Sequence, residues 1–356
     1  MSDLDPGRVR PQQQYASLYT DLLRTVQELG LLRRRRGYYY TRMSCAAAVL
    51  VGIAVGAVVL GDSWFQLVLA VVLALTLVQV AFLSHDSAHR QIFDSAARND
   101  WTARILSGGV LGMSATWWRT KHNRHHGAPN QVDKDPDVQM KVLAFTPDDV
   151  VRRKPFGRWL ADRQGWFFFP LLTLEGVALH VSSIQHLMRR DASKAERVDL
   201  GVVIARLTLY VAAVYLLLPV DKATAFLGLQ LAVFGLFLGA AFAPNHKGMP
   251  LVPAGMKLDF LRRQVLTSRN IRGGVITDFA MGGLNYQIEH HLFPSMPRPT
   301  LRRVRPIVRE YCELHGISYT EVGLFSSYRI VVDYLNNVGL RARDPFECPL
   351  VATYRK

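Results

Sequence analysis

The sequence predicts an all-α integral membrane protein with four spanning helices, on three observations. Apolar residues gather in four long runs, the charge collects between them, and seven of the eleven histidines fall into three tight groups beside those runs. A hydrophobic fraction of 49% and a mean hydropathy of +0.09 average over this contrast and hide it. With 356 residues the chain has room for one sizeable domain or two small ones.

The runs cover residues 43–60 (CAAAVLVGIAVGAVVL at the centre), 64–83 (WFQLVLAVVLALTLVQVAFL), 202–218 (interrupted by Arg206) and 223–242. Each is near the roughly 20 residues that cross about 30 Å of hydrocarbon. Two weaker stretches are read as interfacial or half-buried helices. Residues 101–113 are too few to span. Residues 166–184 carry Glu175 and His180 and open with WFFF followed by Pro170. That reading keeps every histidine group on one side of the membrane.

Lysine and arginine set the expected orientation. RRRR at positions 33–36 and Arg42 precede the first run, and residues 85–200 and the tail after His246 are rich in both. The turn GDSW has no basic residue and the turn LPVDKA has one. The positive-inside rule then places both termini and both large segments in the cytoplasm. Some forty polar and basic residues precede the first run, so it is not read as a cleaved signal peptide. A net charge of +15 suits anionic lipid, a negatively charged partner or a phosphate-bearing substrate. No nucleic-acid-binding fold is recognisable between the runs. Cys45, Cys312 and Cys348 are isolated, have no metal spacing and fit a reducing compartment.

The histidine groups are His85-Asp-Ser-Ala-His89, His122-Asn-Arg-His125-His126 and Gln287-Ile-Glu-His290-His291. Helix positions three and four apart share a face, so the first group projects two imidazoles together and the second three. The third repeats the second's spacing with Gln287 in first place. His85 follows the second run and His246, in APNHKG, the fourth, so four parts of the chain bring imidazole to one membrane surface. Neutral imidazole suits iron, zinc, copper or nickel. Eight histidines exceed one metal's capacity, so two metals are expected. His180, His186 and His315 stand alone and are read as surface or capping residues. Asp86, Asp135, Asp137, Asp278 and Glu289 are placed to accept the second ring proton of a ligand histidine, and Glu175 can do so from its half-buried helix. Iron with open positions activates dioxygen. A site at the lipid interface suits a long apolar chain lying between the spans, with its polar head at the basic surface.

These groups resemble the histidine boxes of the membrane fatty acid desaturase superfamily, in its acyl-lipid and acyl-CoA branch with front-end (delta-5/delta-6) members. His85–His89 is similar to the first box. His122–His126, continued by HGAPNQVDKDPDV, is similar to the second, and NYQIEHHLFP at positions 285–294 to the third in its front-end form. His246, beside Asn245, matches the ligand between the fourth span and the third box. The resemblance covers roughly residues 39–319 of a single domain spanning 1–356. It implies four spans with a cytoplasmic helical cap, two non-haem irons, and oxygen-dependent removal of two hydrogens from a long-chain fatty acyl group. The implied ligands are His85, His89, His122, His125, His126, His246, His290 and His291. Gln287 is implied to hold a bound water, with Asn245, Asp86, Glu289 and Glu175 as outer partners.

Many front-end members carry a fused cytochrome b5 domain with an HPGG motif, which this sequence lacks. A separate electron donor is therefore expected, either a ferredoxin with its reductase or a cytochrome b5. The expected location is a bacterial inner membrane. The nearest alternative activity is a hydroxylase, ketolase or alkane monooxygenase of the same superfamily, and a metal carrier or sensor is a more distant one. Double-bond position, chain length and the acyl carrier are not legible.

Three smaller readings complete the sequence. Tyr15, Leu18, Leu22, Val26 and Leu29 predict a short amphipathic helix on the membrane surface, with a simple solvated lead-in as the alternative. Residues 133–162, charged and proline-bearing, read as loop. Thr300 is expected to cap a basic helix over 301–315 closed by Gly316, with Arg302, Arg303 and Arg305 available to a substrate head group or lipid.

Overall fold

The structure is a computed structural model that describes residues 11–139 and 142–340. Cys348 and the side chain of Tyr15 lie outside the described residues. Four helices are long and apolar enough to cross a membrane: Arg36–Leu60, Gln66–Ala88, Lys194–Leu217 and Val220–Phe242. The second and fourth pair to form the core, where Leu73, Leu77 and Phe82 meet Phe226, Phe234 and Leu238. The first and third turn most of their apolar surface outward, as lipid-facing helices do. At the end away from the histidines, Gln66 Nε2 donates to the carbonyls of Ala57 and Gly61 and closes the first turn. There Lys222 Nζ lies 2.7 Å from Asp62 and joins the two short turns.

All four helices differ from the apolar runs at one or both ends, because hydropathy marks the hydrocarbon and backbone hydrogen bonding continues past it. The continuation of the second helix to Ala88 carries His85 in its last turn. The fourth passes through a 3-10 turn, Ala243–Asn245, that delivers His246. Residues 101–113 divide between the helix Ala96–Arg104 and a π-helical turn, Ile105–Leu111. Residues 166–184 form two helices, Gln164–Leu172 and Glu175–Leu187, bent by 73° across the break.

Four expectations are corrected. Residues 133–162 are not plain loop. They contain the short helices Pro136–Val138, Pro147–Val151 and Pro155–Ala161, each opened by a proline whose fixed φ suits that position. The helix Pro11–Glu28 does not lie with its apolar face on lipid. Leu22 and Val26 are buried against Leu261, Val265, Leu292 and Val304, and Leu29 is exposed. The basic helix is Arg298–Leu314, so Thr300 sits inside its first turn and Pro297 precedes it. A short parallel pair, Asn270–Arg272 with Glu321–Gly323, interrupts the all-helical pattern. Three residues per strand are too few to show a period in sequence.

Candidate metal centre

Each imidazole group is set by a local device. Ser114 caps the helix Ala115–Gly127 by accepting from the Trp117 amide, which aims Trp118, His122, His125 and His126 along one side. Trp118 stacks on His122 with ring centroids 4.2 Å apart. The third group rides on the helix Gln287–Leu292. It approaches the second span because Gly282, with φ of +58°, leaves space that a Cβ would take from the Phe82 ring 2.2 Å away.

The eight imidazoles converge in two neighbouring groups. Candidate ligand nitrogens of His85, His89, His122, His126 and His290 lie within 4.8 Å of one another, and so do those of His125, His246 and His291. His126 stacks on His291 at 4.1 Å and joins the groups. Gln287 Nε2 is 2.9 Å from His246 Nε2, and Asn245 Nδ2 donates to Gln287 Oε1 at 3.3 Å.

Ring orientation decides what the groups can bind. Four Nδ1 atoms face acceptors: His85 faces Asp86 (3.1 Å), His125 faces Asp135 (2.9 Å), His246 faces the Thr267 carbonyl (3.0 Å) and His291 faces Gln264 Oε1 (2.9 Å). Each neutral ring therefore carries its proton on Nδ1 and turns the Nε2 lone pair inward. His125 Nε2 and His246 Nε2 then meet at 3.2 Å, lone pair to lone pair. Between two neutral rings that contact is repulsive, and either a cation between them or a second proton on His125 relieves it. His126 Nε2 lies 3.0 Å from His122 Nε2 and 3.1 Å from His290 Nε2. Two adjacent ligands on one metal at about 2.1 Å are separated by about 3.0 Å at right angles. The buried Nε2 atoms of His85, His89 and His291 have no hydrogen-bond partner. The donor set, its spacing and these orphaned nitrogens fit two imidazole-bound transition metals.

Electrostatics agree. Burial, then neighbouring imidazoles, hold His122, His126, His290 and His291 well below the usual histidine range, so they stay neutral and able to ligate. His125 departs from this pattern: burial lowers it, but Asp135 and Asp137 outweigh burial and raise it. Burial lifts Glu289 to about 7.

The outer residues expected from sequence fall in different places. Asp86 and Asp135 contact ligand imidazoles directly, and Asp137 stands 3.6 Å from His125. Glu289 contacts Asn270 and Tyr319, not a histidine, and Asp278 contacts Asn285. Glu175 lines the cavity beside the groups. Arg305 pairs with Glu321 at 3.4 Å, while Arg302 and Arg303 are exposed. His186 faces Glu196, and His180 faces the Gly176 and Leu111 carbonyls. Sequence reasoning missed Thr267, Gln264, Asn270, Asn130 and Arg298. Asn130 adopts φ of +56°, a conformation asparagine tolerates, and ties its amide to Asp135 at 2.7 Å and its side chain to the His246 carbonyl at 3.1 Å. Only its place in the trailing HGAPNQVDKDPDV marked it.

The imidazoles edge a cavity of about 190 Å³ between the second and fourth spans. Ala81, Leu111, Leu179, Leu238 and Phe242 give it apolar walls, and Lys121, Asp137 and Lys247 a polar margin. An apolar slot beside histidine groups able to hold metal is thus set between two helices long enough to cross a membrane. The family model for fatty acid desaturases matches residues 62–323. An acyl-lipid (9-3)-desaturase of Physcomitrium patens is 29% identical over 351 residues, which cover 96% of this chain and 66% of the moss protein. A delta(8)-fatty-acid desaturase of Arabidopsis thaliana is 27% identical, covering 92% of this chain and 75% of its own length. A delta(6)-fatty-acid desaturase of Caenorhabditis elegans is 29% identical over 282 residues, covering 76% and 64%. The chain thus spans about two thirds to three quarters of these relatives. It belongs to the fatty acid desaturase family, enzymes of lipid metabolism.

Proposed function

We propose that this enzyme introduces a double bond into a long-chain fatty acyl group, using dioxygen and two irons held by the eight histidines. One observation carries the reading: Nε2 lone pairs of two imidazole groups converge at the wall of an apolar cavity between two spans. Five histidines would hold one iron (His85, His89, His122, His126, His290) and three the other (His125, His246, His291), with Gln287 beside the less crowded position. Bound there, the irons supply the oxidising power that removes two hydrogens from an unactivated chain.

The protein's share is placement. Leu111, Leu179, Leu238 and Phe242 exclude water and fix the depth at which a chain stops. Asp86, Asp135, the Thr267 carbonyl and Gln264 keep the Nδ1 protons of His85, His125, His246 and His291 in place, so those four Nε2 atoms remain available to metal. Electrons come from a separate protein, a ferredoxin with its reductase or a cytochrome b5, attracted by the net charge of +15. The arginines before the first span, at positions 33–36 and 42, support a cytoplasmic position for the termini and the metal centre.

Gas chromatography–mass spectrometry of total fatty acids tests this in a host supplied with iron and a ferredoxin–reductase pair. A new cis-unsaturated acid, absent with His125→Ala, is expected. A hydroxylated or ketone product would assign the oxygen-inserting chemistry instead.

A further inference from the structure

A second cavity, of about 610 Å³, adjoins the first. Both are lined by Lys121, Phe168, Leu172, Glu175 and Leu179, so the two spaces meet across one shared wall. The helix Ala115–Gly127 serves both. His122 and His125 edge the metal-side cavity, while Trp117, Thr120 and Arg124, spaced by three and four, line the second.

The second cavity has two kinds of surface. Leu171 and Leu174, on the bent helix pair, are exposed and continue into the exposed Trp166, Val177 and Val181, an apolar face of interfacial character. Lys121, Arg124 and Arg189 supply three cations, and Glu175 is the one carboxylate among its described lining residues. Lys121 is paired with Asp137 at 2.8 Å, and Arg189 with Glu196 at 3.4 Å and Asp191 at 3.6 Å. Arg124 has no carboxylate partner among the described residues, and its guanidinium only reaches the Lys134 carbonyl at 3.4 Å. Arg302, Arg303 and Arg305, the sequence's candidates for the head group, line neither cavity.

We infer that the second cavity is the vestibule for the phosphate-bearing head of the acyl donor, with Arg124 as its principal contact and Lys121 at the threshold through which the chain passes toward the metals. Arginine suits this task, since its planar fork matches phosphate oxygens. The chemistry is shared by a membrane phospholipid and by an acyl-coenzyme A thioester. This inference rests on the acyl-desaturase reading above.

The test is equilibrium binding to the full-length, iron-loaded enzyme in a phosphate-free detergent, without reductant so that no turnover occurs. Three probes share one stearoyl chain: lysophosphatidylcholine, stearoyl-coenzyme A and the uncharged monostearoylglycerol. Arg124→Glu is expected to weaken at least one phosphate-bearing probe about tenfold or more and to leave monostearoylglycerol within about twofold. Whichever phosphate probe responds names the source. Arg329→Glu, the same charge change at an exposed side chain that lines neither cavity, should alter none of them. Arg124→Gln, checked for native elution and helicity, replaces the glutamate variant if that one fails to fold. Unchanged binding of both phosphate probes, or an equal loss for all three, overturns the vestibule. Because the readout is binding, desaturation with Arg124-independent binding removes the vestibule alone. Arg124-dependent binding by an enzyme that makes no double bond removes the activity reading alone.

Discussion

Arg298 and Asp86 form a buried pair that reaches the metal centre: Arg298 Nε and Nη2 each lie 2.7 Å from Asp86 Oδ2, and Asp86 Oδ1 faces His85 Nδ1 at 3.1 Å. The Arg298 amide also donates to Tyr39 Oη at 3.1 Å, and Tyr39 donates to Gln91 at 2.9 Å. The start of the helix Arg298–Leu314, the first span and the second span are thereby pinned around one ligand. Removing one partner of a buried ion pair leaves the other charge uncompensated, at roughly 3–5 kcal/mol. Arg298→Ala should therefore lower the thermal midpoint of the purified protein and its iron content together. Asp86→Asn leaves the buried Arg298 charge uncompensated as well, so it should also lower the thermal midpoint, and by weakening the acceptor beside His85 it should weaken iron binding roughly 10–100-fold. Metal titration beside thermal unfolding separates the two effects.

Asn270 supports the third histidine group in a similar way. Its Oδ1 accepts from the Ile288 amide at 2.9 Å, and its Nδ2 donates to Glu289 at 2.7 Å and to Tyr319 Oη at 2.6 Å. Asn270→Ala leaves a buried amide and a buried carboxyl short of partners, at roughly 1–3 kcal/mol for each unsatisfied group. The expected result is a lower denaturation midpoint and faster iron loss to a chelator, with the membrane fraction unchanged on fractionation.

Gln287 occupies the position that a histidine would take by the spacing of the second group. An amide is the poorer ligand, so the three-histidine position keeps more room than its neighbour. Gln287→His should slow iron release to a chelator and reduce turnover at least about tenfold, because the added imidazole fills a position the substrates need. Faster turnover with tighter iron would contradict that view of Gln287.

Gly239 sits on the fourth span at the cavity wall, where an added Cβ would meet Leu172 Cδ2 at 2.5 Å. Gly239→Val should push Leu172 into the acyl path at an overpacking cost of about 1–3 kcal/mol. Product formation should fall or shift to shorter chains, while iron content stays at the wild-type level by elemental analysis.

The spans were legible because about 20 apolar residues in a row have few other uses, and the histidine groups because helical spacing puts their imidazoles together before any tertiary contact forms. Asp86 and Asp135 were legible by proximity in sequence to His85 and His125. Arg298, Gln264 and the Thr267 carbonyl were not, since each meets its partner across a long stretch of chain and an arginine, a glutamine or a backbone carbonyl carries no local mark. The split into five and three histidines was hidden for the same reason. His126 and His125 are neighbours in sequence, yet a 3.6-residue period sends them to different groups. The sequence shows that Pro11–Glu28 has an apolar face, and Leu261 and Val304, not lipid, cover it. Amphipathicity shows that a face is covered and does not name the cover.

The most direct measurement is the metal content and Mössbauer spectrum of protein grown on ⁵⁷Fe, for the wild type and for a His246→Ala, His291→Ala double variant. We expect two irons per chain in two distinct nitrogen-rich environments. The double variant should keep the five-histidine position and lose the other, leaving one iron and a single environment. One iron in the wild type, or a variant that loses both or neither, would contradict two neighbouring sites divided as five and three.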